Sequence, residues 1–141
     1  MSNSIINIKN LNFYYPNKSS ESNEWIQILD SININIPKNK IIGIVGKSGC
    51  GKTTLGKAIV NYFALNQVKH IQEGTISFIN KDKDIPINSK EYRKNKIPPI
   101  QMVFQDPRSA LNMKMKAYDQ LYEVISRSNS SLNKRAINEK I

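Results

Sequence analysis

Residues 46–53 read Gly46-Lys47-Ser48-Gly49-Cys50-Gly51-Lys52-Thr53 and fit the phosphate-binding loop pattern G-x-x-x-x-G-K-[ST] at every fixed position. The apolar run directly before the loop, residues 41–45, predicts a short buried strand. Residues 54–63, directly after it, have apolar side chains at helical spacing. A strand that turns through glycines into a helix directs several backbone N–H groups and the positive end of the helix at one point.

That point is where the phosphates of a nucleotide are expected to bind. The Lys52 ammonium would contact the β- and γ-phosphates, and the Thr53 hydroxyl would hold Mg²⁺. Thr54 follows directly and completes the candidate binding loop. A glycine-rich turn that matches by chance is the alternative, and the strand and helix patterns on either side argue against it.

Length and composition describe a basic chain of single-domain size. The chain has 141 residues and a formal charge of +10 at pH 7, from 21 Lys and Arg against 11 Asp and Glu. Ile, Asn and Lys together make up 57 of the residues, a bias that spreads lysine over all solvated surfaces. The lysines have no aromatic residues interleaved with them and form no single dense tract, so no nucleic-acid partner is predicted.

The single cysteine and the N-terminal sequence add little information about function. Cys50 is alone, so the chain forms no internal disulfide, and its place in the loop is that of a small tolerated residue. The N-terminus lacks the apolar core of a signal peptide, and no run of 18 apolar residues occurs. We therefore expect a cytoplasmic protein with no direct insertion into the membrane.

Several further segments carry strand or helix patterns. Strands are predicted over 6–13, 26–37, 74–79 and 100–104, and a helix over 110–125. The polar segments 16–24 and 66–72 are predicted to be loops, and His70 in the second of them is expected to be exposed. The polar end of the chain looks like the start of another helix.

Three separate segments resemble the nucleotide-binding subunits of ABC transporters. The sequence Leu11-Asn12-Phe13-Tyr14-Tyr15-Pro16 is similar to the A-loop of that family, and the match places Tyr15 as the ring that stacks on adenine. Residues 46–54 read G-K-S-G-C-G-K-T-T, close to the family's phosphate loop. Residues 100–112 read I-Q-M-V-F-Q-D-P-R-S-A-L-N and resemble the Q-loop of importers for oligopeptides, dipeptides and nickel.

The resemblance implies an α/β fold, the N-terminal portion of a P-loop NTPase of the ABC ATPase type. It would contain an antiparallel β-subdomain and the phosphate-loop strand–helix core over residues 1–109, and the start of a helical subdomain over 110–141. The implied ligands are ATP and Mg²⁺, with Gln105 contacting the metal and the attacking water. The implied partners are permease subunits and a second ABC ATPase subunit in a head-to-tail dimer, at the inner face of the cell membrane.

The chain also departs from the family pattern. No L-S-G-G-Q signature, no apolar strand ending in Asp-Glu and no switch histidine follows residue 112. We therefore expect the sequence to stop inside the helical subdomain and to lack the residues that hydrolyse ATP. Two alternatives stay open: a small phosphate-loop kinase or NTPase that uses Asp106 as its Mg²⁺ ligand, and an inactive fragment.

Overall fold

The computed structural model describes residues 3–17, 24–81, 83–94, 98–106, 108, 111–128 and 132–141. The chain divides into two compact units, residues 1–94 and 95–141. The domain boundary predicted after residue 109 stays a prediction. Each unit is described by itself.

The described residues of the first unit form one antiparallel sheet and three short helices. Its elements, in chain order, are β1 (Ser4–Pro16), β2 (Trp25–Pro37), α1 (Lys52–Ile59), α2 (Tyr62–Leu65), β3 (Ile71–Asn80), β4 (Lys83–Pro86) and α3 (Lys90–Arg93). The sheet has the order β2-β1-β3-β4, and all of its pairings are antiparallel. The predicted antiparallel β-subdomain is confirmed.

Strand β1 lies between β2 and β3, and its apolar face supplies the centre of the core. Period-two alternation places Ile6 with Ile8 and Leu11 with Phe13. The irregularity at Asn10, where the pairings of β1 shift register, lets both pairs face the core, and all four residues are buried. Leu11 and Phe13 have no exposed surface. A strand paired on both edges and buried on one face has its register well specified, because a one-residue slip would expose this whole set.

The predicted strands over 6–13, 26–37 and 74–79 are confirmed, with small differences at their ends. β3 begins at Ile71, inside the predicted connector 66–72. Residues 18–23 of the predicted loop 16–24 lie outside the described residues, and Asn17 and Glu24 at its ends are joined by a backbone hydrogen bond of 2.9 Å. β4 and α3 were not predicted; they are only four residues each and lie in a charged segment.

A bulge in the centre of the sheet depends on Gly74. The β1–β3 pairing shifts register between Lys9 and Asn12, so that two residues of β1 lie opposite Gly74. Gly74 has a φ of +78°, and a Cβ atom there would lie 2.2 Å from the Asn10 carbonyl oxygen. Only glycine fits this position without displacing the backbone of β1.

The helix predicted over 54–63 is present, but it is broken into α1 and α2. Asn61 interrupts it with a φ of +57°, a left-handed conformation that asparagine tolerates better than most residues. Its buried side-chain amide donates to the Ile87 carbonyl oxygen at 3.3 Å, which holds the break against the segment after β4.

The strand predicted over 41–45 is wrong. These residues have no strand assignment and lie on the surface, with Ile41 and Val45 almost fully exposed. A buried parallel strand needs neighbours on both edges and cover on both faces. Within the described part of the chain, no strand pairs with this segment.

The second unit contains α4 (Ala117–Ser128) and α5 (Lys134–Asn138). α4 confirms the later part of the helix predicted over 110–125, whereas 111–116 are not helical and residue 110 lies outside the described residues. α5 confirms the helix expected near the end of the chain. The strand predicted over 100–104 is wrong, because these residues have no strand assignment and Val103 is exposed.

Replacing Gly74 by alanine should lower the free energy of unfolding by about 2–4 kcal/mol, since the new methyl group both strains the backbone and collides with β1. Urea unfolding followed by circular dichroism measures the change. Gly43→Ala is the matched control, because a Cβ atom there meets nothing within 4 Å. It should change stability by less than about 0.5 kcal/mol. Equal effects of the two substitutions would contradict the bulge assignment.

Candidate phosphate-binding site

The phosphate loop ends in a left-handed glycine that starts helix α1. Gly51 is the N-cap of α1, with a φ of 93°, and Lys52 is the first helical residue. A Cβ atom at Gly51 would lie 2.8 Å from the Leu29 side chain and 3.1 Å from the Ile28 carbonyl oxygen. Glycine is therefore required here both for the turn and for the close approach of the loop to β2.

The start of α1 leaves several backbone donors without protein partners. No side chain caps the helix, and the first backbone N–H with an intrahelical acceptor is that of Leu55, which donates to the Gly51 carbonyl oxygen at 2.8 Å. Within the described residues, the N–H groups of Lys52, Thr53 and Thr54 have no acceptor. Unpaired donors at the positive end of a helix form an anion-binding site.

The Lys52 side chain folds back over the loop that precedes it. Its ammonium donates to the carbonyl oxygens of Gly46 at 2.8 Å and Lys47 at 2.6 Å, and it lies 3.6 Å from Cys50 Sγ. These bonds hold one positive charge over the first residues of the loop. Phosphate oxygens are stronger acceptors for an ammonium than neutral carbonyl oxygens.

The other loop side chains differ in accessibility. Thr53 is exposed, and its hydroxyl has no hydrogen-bond partner among the described residues. Lys47, Ser48 and Cys50 are also exposed. A Cβ atom at Gly46 would lie 2.7 Å from Cys50 Sγ, so the first glycine leaves room for the cysteine that folds over it.

Tyr15 belongs to an aromatic cluster at the far end of β1. Its ring lies 5.2 Å from that of Phe13 and 5.6 Å from that of Phe63, with interplanar angles of 70° and 74°. No ring among the described residues is stacked parallel on Tyr15, which is half-buried. Sequence reasoning identified Tyr15 alone and missed Phe63, because its contact with Tyr15 joins residues far apart in the chain.

The neighbouring Tyr14 points to the opposite face of the sheet. Partial burial, followed by the carboxylates of Glu73 and Asp30, raises the pKa of the Tyr14 hydroxyl. Acidic neighbours would repel the phosphates of a nucleotide. Of the two adjacent tyrosines, Tyr15 is therefore the one suited to a nucleotide base.

His70 is not the exposed residue that the sequence predicted. It lies in the loop before β3, is half-buried, and stacks on Phe13 with ring centroids 5.2 Å apart and an interplanar angle of 7°. Its Nδ1 atom is 2.6 Å from the Val68 carbonyl oxygen. His70 is therefore a packed member of the aromatic cluster.

Gln105 and Asp106 lie in the second unit, in a segment without regular secondary structure. Gln105 is exposed, and an Asp106 carboxylate oxygen accepts a hydrogen bond from the Arg108 backbone N–H at 3.0 Å. The apolar strand that would present Asp106 as a metal ligand is not formed. Residues 107, 109 and 110 of the predicted Q-loop lie outside the described residues.

An apolar cavity of about 340 Å³ lies between the sheet, helix α1 and the segment 42–45. Its walls include Ile8 and Ile34 from the sheet and Leu55 and Ile59 from α1. It contains no charged side chain. The segment that leads into the phosphate loop is thus packed loosely over an apolar surface.

Comparison with known proteins identifies the family. Residues 29–140 match the family model described as ABC transporter.

The chain belongs to the ABC transporter family.

Among its relatives, the oligopeptide transport ATP-binding protein OppF of Lactococcus lactis is 34% identical over 124 residues, covering 86% of this chain and 36% of the relative. The dipeptide transport ATP-binding protein DppD of Bacillus subtilis is 33% identical over 114 residues, covering 81% of this chain and 33% of the relative. The spermidine/putrescine import ATP-binding protein PotA of Borreliella afzelii is 35% identical over 134 residues, covering 91% of this chain and 35% of the relative. The chain thus spans about a third of the length of the curated relatives that it matches.

The predicted family and the fold class, a portion of a P-loop NTPase of the ABC ATPase type, are therefore confirmed. In the described part of the chain, no helix is both long and apolar enough to cross a bilayer. The same residues contain no group of three or more His, Cys, Asp or Glu side chains placed to hold a metal ion. A phosphate-bound Mg²⁺ needs no such cluster, since phosphate oxygens, water and one or two protein ligands complete its coordination.

Lys52→Ala should weaken the binding of inorganic tripolyphosphate by about 100-fold, because two or more charge-assisted hydrogen bonds are lost. Isothermal titration calorimetry on the purified chain measures the change. Lys40→Ala removes the same charge from an exposed position before the loop and should change the affinity by less than about threefold. A similar loss in both variants would show that only overall charge attracts the anion.

Proposed function

We propose that this chain is the ATP-binding portion of an ABC importer ATPase. The observation that carries the proposal is that one loop combines the Lys52 ammonium, held over its first residues, with the unpaired N–H groups of Lys52, Thr53 and Thr54 at its end. This arrangement binds the phosphates of a nucleotide by charge and by hydrogen bonds. The family match supports ATP as the nucleotide.

The candidate ATP-binding residues follow from the loop, the aromatic cluster and the Q-loop resemblance. Residues 46–54 would surround the phosphates, and Tyr15 would stack on the adenine ring. Thr53 would contribute to the Mg²⁺ site, and the Q-loop resemblance assigns a contact with the metal to Gln105. The exposed Thr53 hydroxyl fits that role, because it forms no hydrogen bond with any described residue.

The transported substrate is proposed from the relatives. Oligopeptide and dipeptide transport proteins are among them, so we propose a role in the uptake of peptides across the cytoplasmic membrane. Nickel, which the Q-loop resemblance also suggested, and the spermidine and putrescine named for another relative are the competing substrates. Permease subunits and a second ABC ATPase subunit are the proposed partners, with the protein peripheral on the inner face of the membrane.

Tyr15→Ala should weaken ATP binding by about 1–3 kcal/mol, the usual contribution of an aromatic ring stacked on a base. The same substitution should leave pyrophosphate binding nearly unchanged, because pyrophosphate has no base. Titration of the two ligands into the purified variant measures both effects.

Tyr14→Ala is the matched control, since this neighbouring ring lies on the other face of β1 beside Glu73. It should bind ATP and pyrophosphate as the unmodified chain does. Equal losses for the two ligands in Tyr15→Ala would mean that Tyr15 only maintains the fold.

We further propose that these 141 residues bind ATP without hydrolysing it. Lys52 and Thr53 supply charge and metal contacts, and the Gln105 amide can orient a water molecule. None of these groups accepts a proton from that water, because a neutral amide is not a base. The signature and the Asp-Glu pair of the family do not occur in this sequence.

Purified chain should therefore release phosphate from ATP no faster than its Lys52→Ala variant. A coupled assay for inorganic phosphate at saturating Mg²⁺ and ATP measures the rate. Asp106→Asn and Gln105→Ala complete the design. Turnover that is lost in Asp106→Asn and kept in Gln105→Ala would support the small kinase or NTPase instead.

A further inference from the structure

The aromatic cluster around Tyr15 consists of four rings from three separate parts of the first unit. Phe13 and Tyr15 come from β1, Phe63 from α2, and His70 from the loop before β3. Phe63 lies 4.5 Å from Phe13 and 5.5 Å from His70, and it is only 4% exposed. Each of these rings therefore contacts at least two others.

Phe63 and His70 are held in place by the backbone around them. The Val68 N–H donates to the Phe63 carbonyl oxygen at 2.9 Å, and the Val68 carbonyl oxygen lies 2.6 Å from His70 Nδ1. Asn61, two residues before Phe63, fixes the angle between α1 and α2 through its left-handed backbone and its bond to Ile87. These contacts give both rings a defined position behind Tyr15.

The contacts on Tyr15 restrict its ring from two directions. Phe13 approaches from the same strand and Phe63 from the helical layer, both at angles close to perpendicular. Such edge-to-face contacts are among the preferred geometries of aromatic pairs and restrict the rotation of a ring. A stacking platform binds a base more tightly when its ring is already held in the bound orientation.

We propose that Phe63 and His70 are positioning residues for the nucleotide base, acting through Tyr15. Phe63 contacts Tyr15 directly, and His70 supports both Phe63 and Phe13 from the β3 side. Because Phe63 follows the helix that begins at the phosphate loop, the same packed segment connects the two parts of the proposed nucleotide site. This inference rests on the proposed function, since it requires that Tyr15 binds the base.

The test compares ATP with inorganic tripolyphosphate on the full chain, by isothermal titration calorimetry. Phe63→Leu should weaken ATP about three- to tenfold and leave tripolyphosphate within about twofold. His70→Ala should act in the same direction, and His70→Phe, which keeps a ring on Phe13, should restore ATP binding. Phe78→Leu is the matched control, because Phe78 pairs with Tyr92 outside the cluster. It should affect neither ligand.

A second readout uses the single histidine of the chain. Proton NMR signals of the His70 ring, which the stacked Phe13 ring shifts, should move when ATP is added and stay when tripolyphosphate is added. The ATP-dependent movement should be lost in Tyr15→Ala. Phe63 is buried, so Phe63→Leu can fold poorly. In that case His70→Ala and the NMR signal of His70 still test the proposal.

The outcomes separate the two proposals. Tyr15-dependent ATP binding that Phe63→Leu and His70→Ala leave unchanged overturns the positioning role alone. Equal losses of ATP and tripolyphosphate in those variants also overturn it, because they indicate a general loss of structure. Failure of the unmodified chain to bind either ligand overturns the proposed function and this inference together.

Discussion

The pairing of β1 with a strand on each of its edges is the constraint on which the first unit depends. This pairing buries Leu11 and Phe13 completely and requires the left-handed Gly74 opposite the β1 bulge. The same strand carries Tyr15 at its far end, where it meets Phe63 and His70. β2, paired on the other edge, supplies the Ile28 and Leu29 surface against which Gly51 turns. Both ends of the proposed nucleotide site are therefore attached to this one sheet.

The two parts of the candidate site obtain their structure from different sources. The turn at Gly51 and the free donors of α1 are local features, and they form although the segment 41–45 before them pairs with none of the described strands. The base platform depends on packing between residues distant in the chain. Phosphate binding should accordingly tolerate changes in the aromatic cluster, and recognition of the base should not.

Most of the antiparallel sheet and the phosphate loop could be predicted, because alternation and glycine spacing are local signals. The exposed, irregular backbone of residues 41–45 could not be predicted. Their apolar run is typical of a strand that is paired and covered on both sides. No described strand pairs with it, and β-propensity by itself does not hold a strand. The break at Asn61 and the packing of His70 on Phe13 arise from tertiary contacts with Ile87 and β1, which no local pattern reports.

The register of β1 also sets an order of folding. Ile6 pairs with Ile36 on β2 and with Phe78 on β3, so the second pairing closes a much longer stretch of chain. Closing a long loop costs more chain entropy and is slower, so we expect the β1–β2 hairpin to form first. The phosphate loop lies inside the stretch that only the later pairing closes. We therefore expect half of the sheet to form before the segment that carries Lys52 is enclosed.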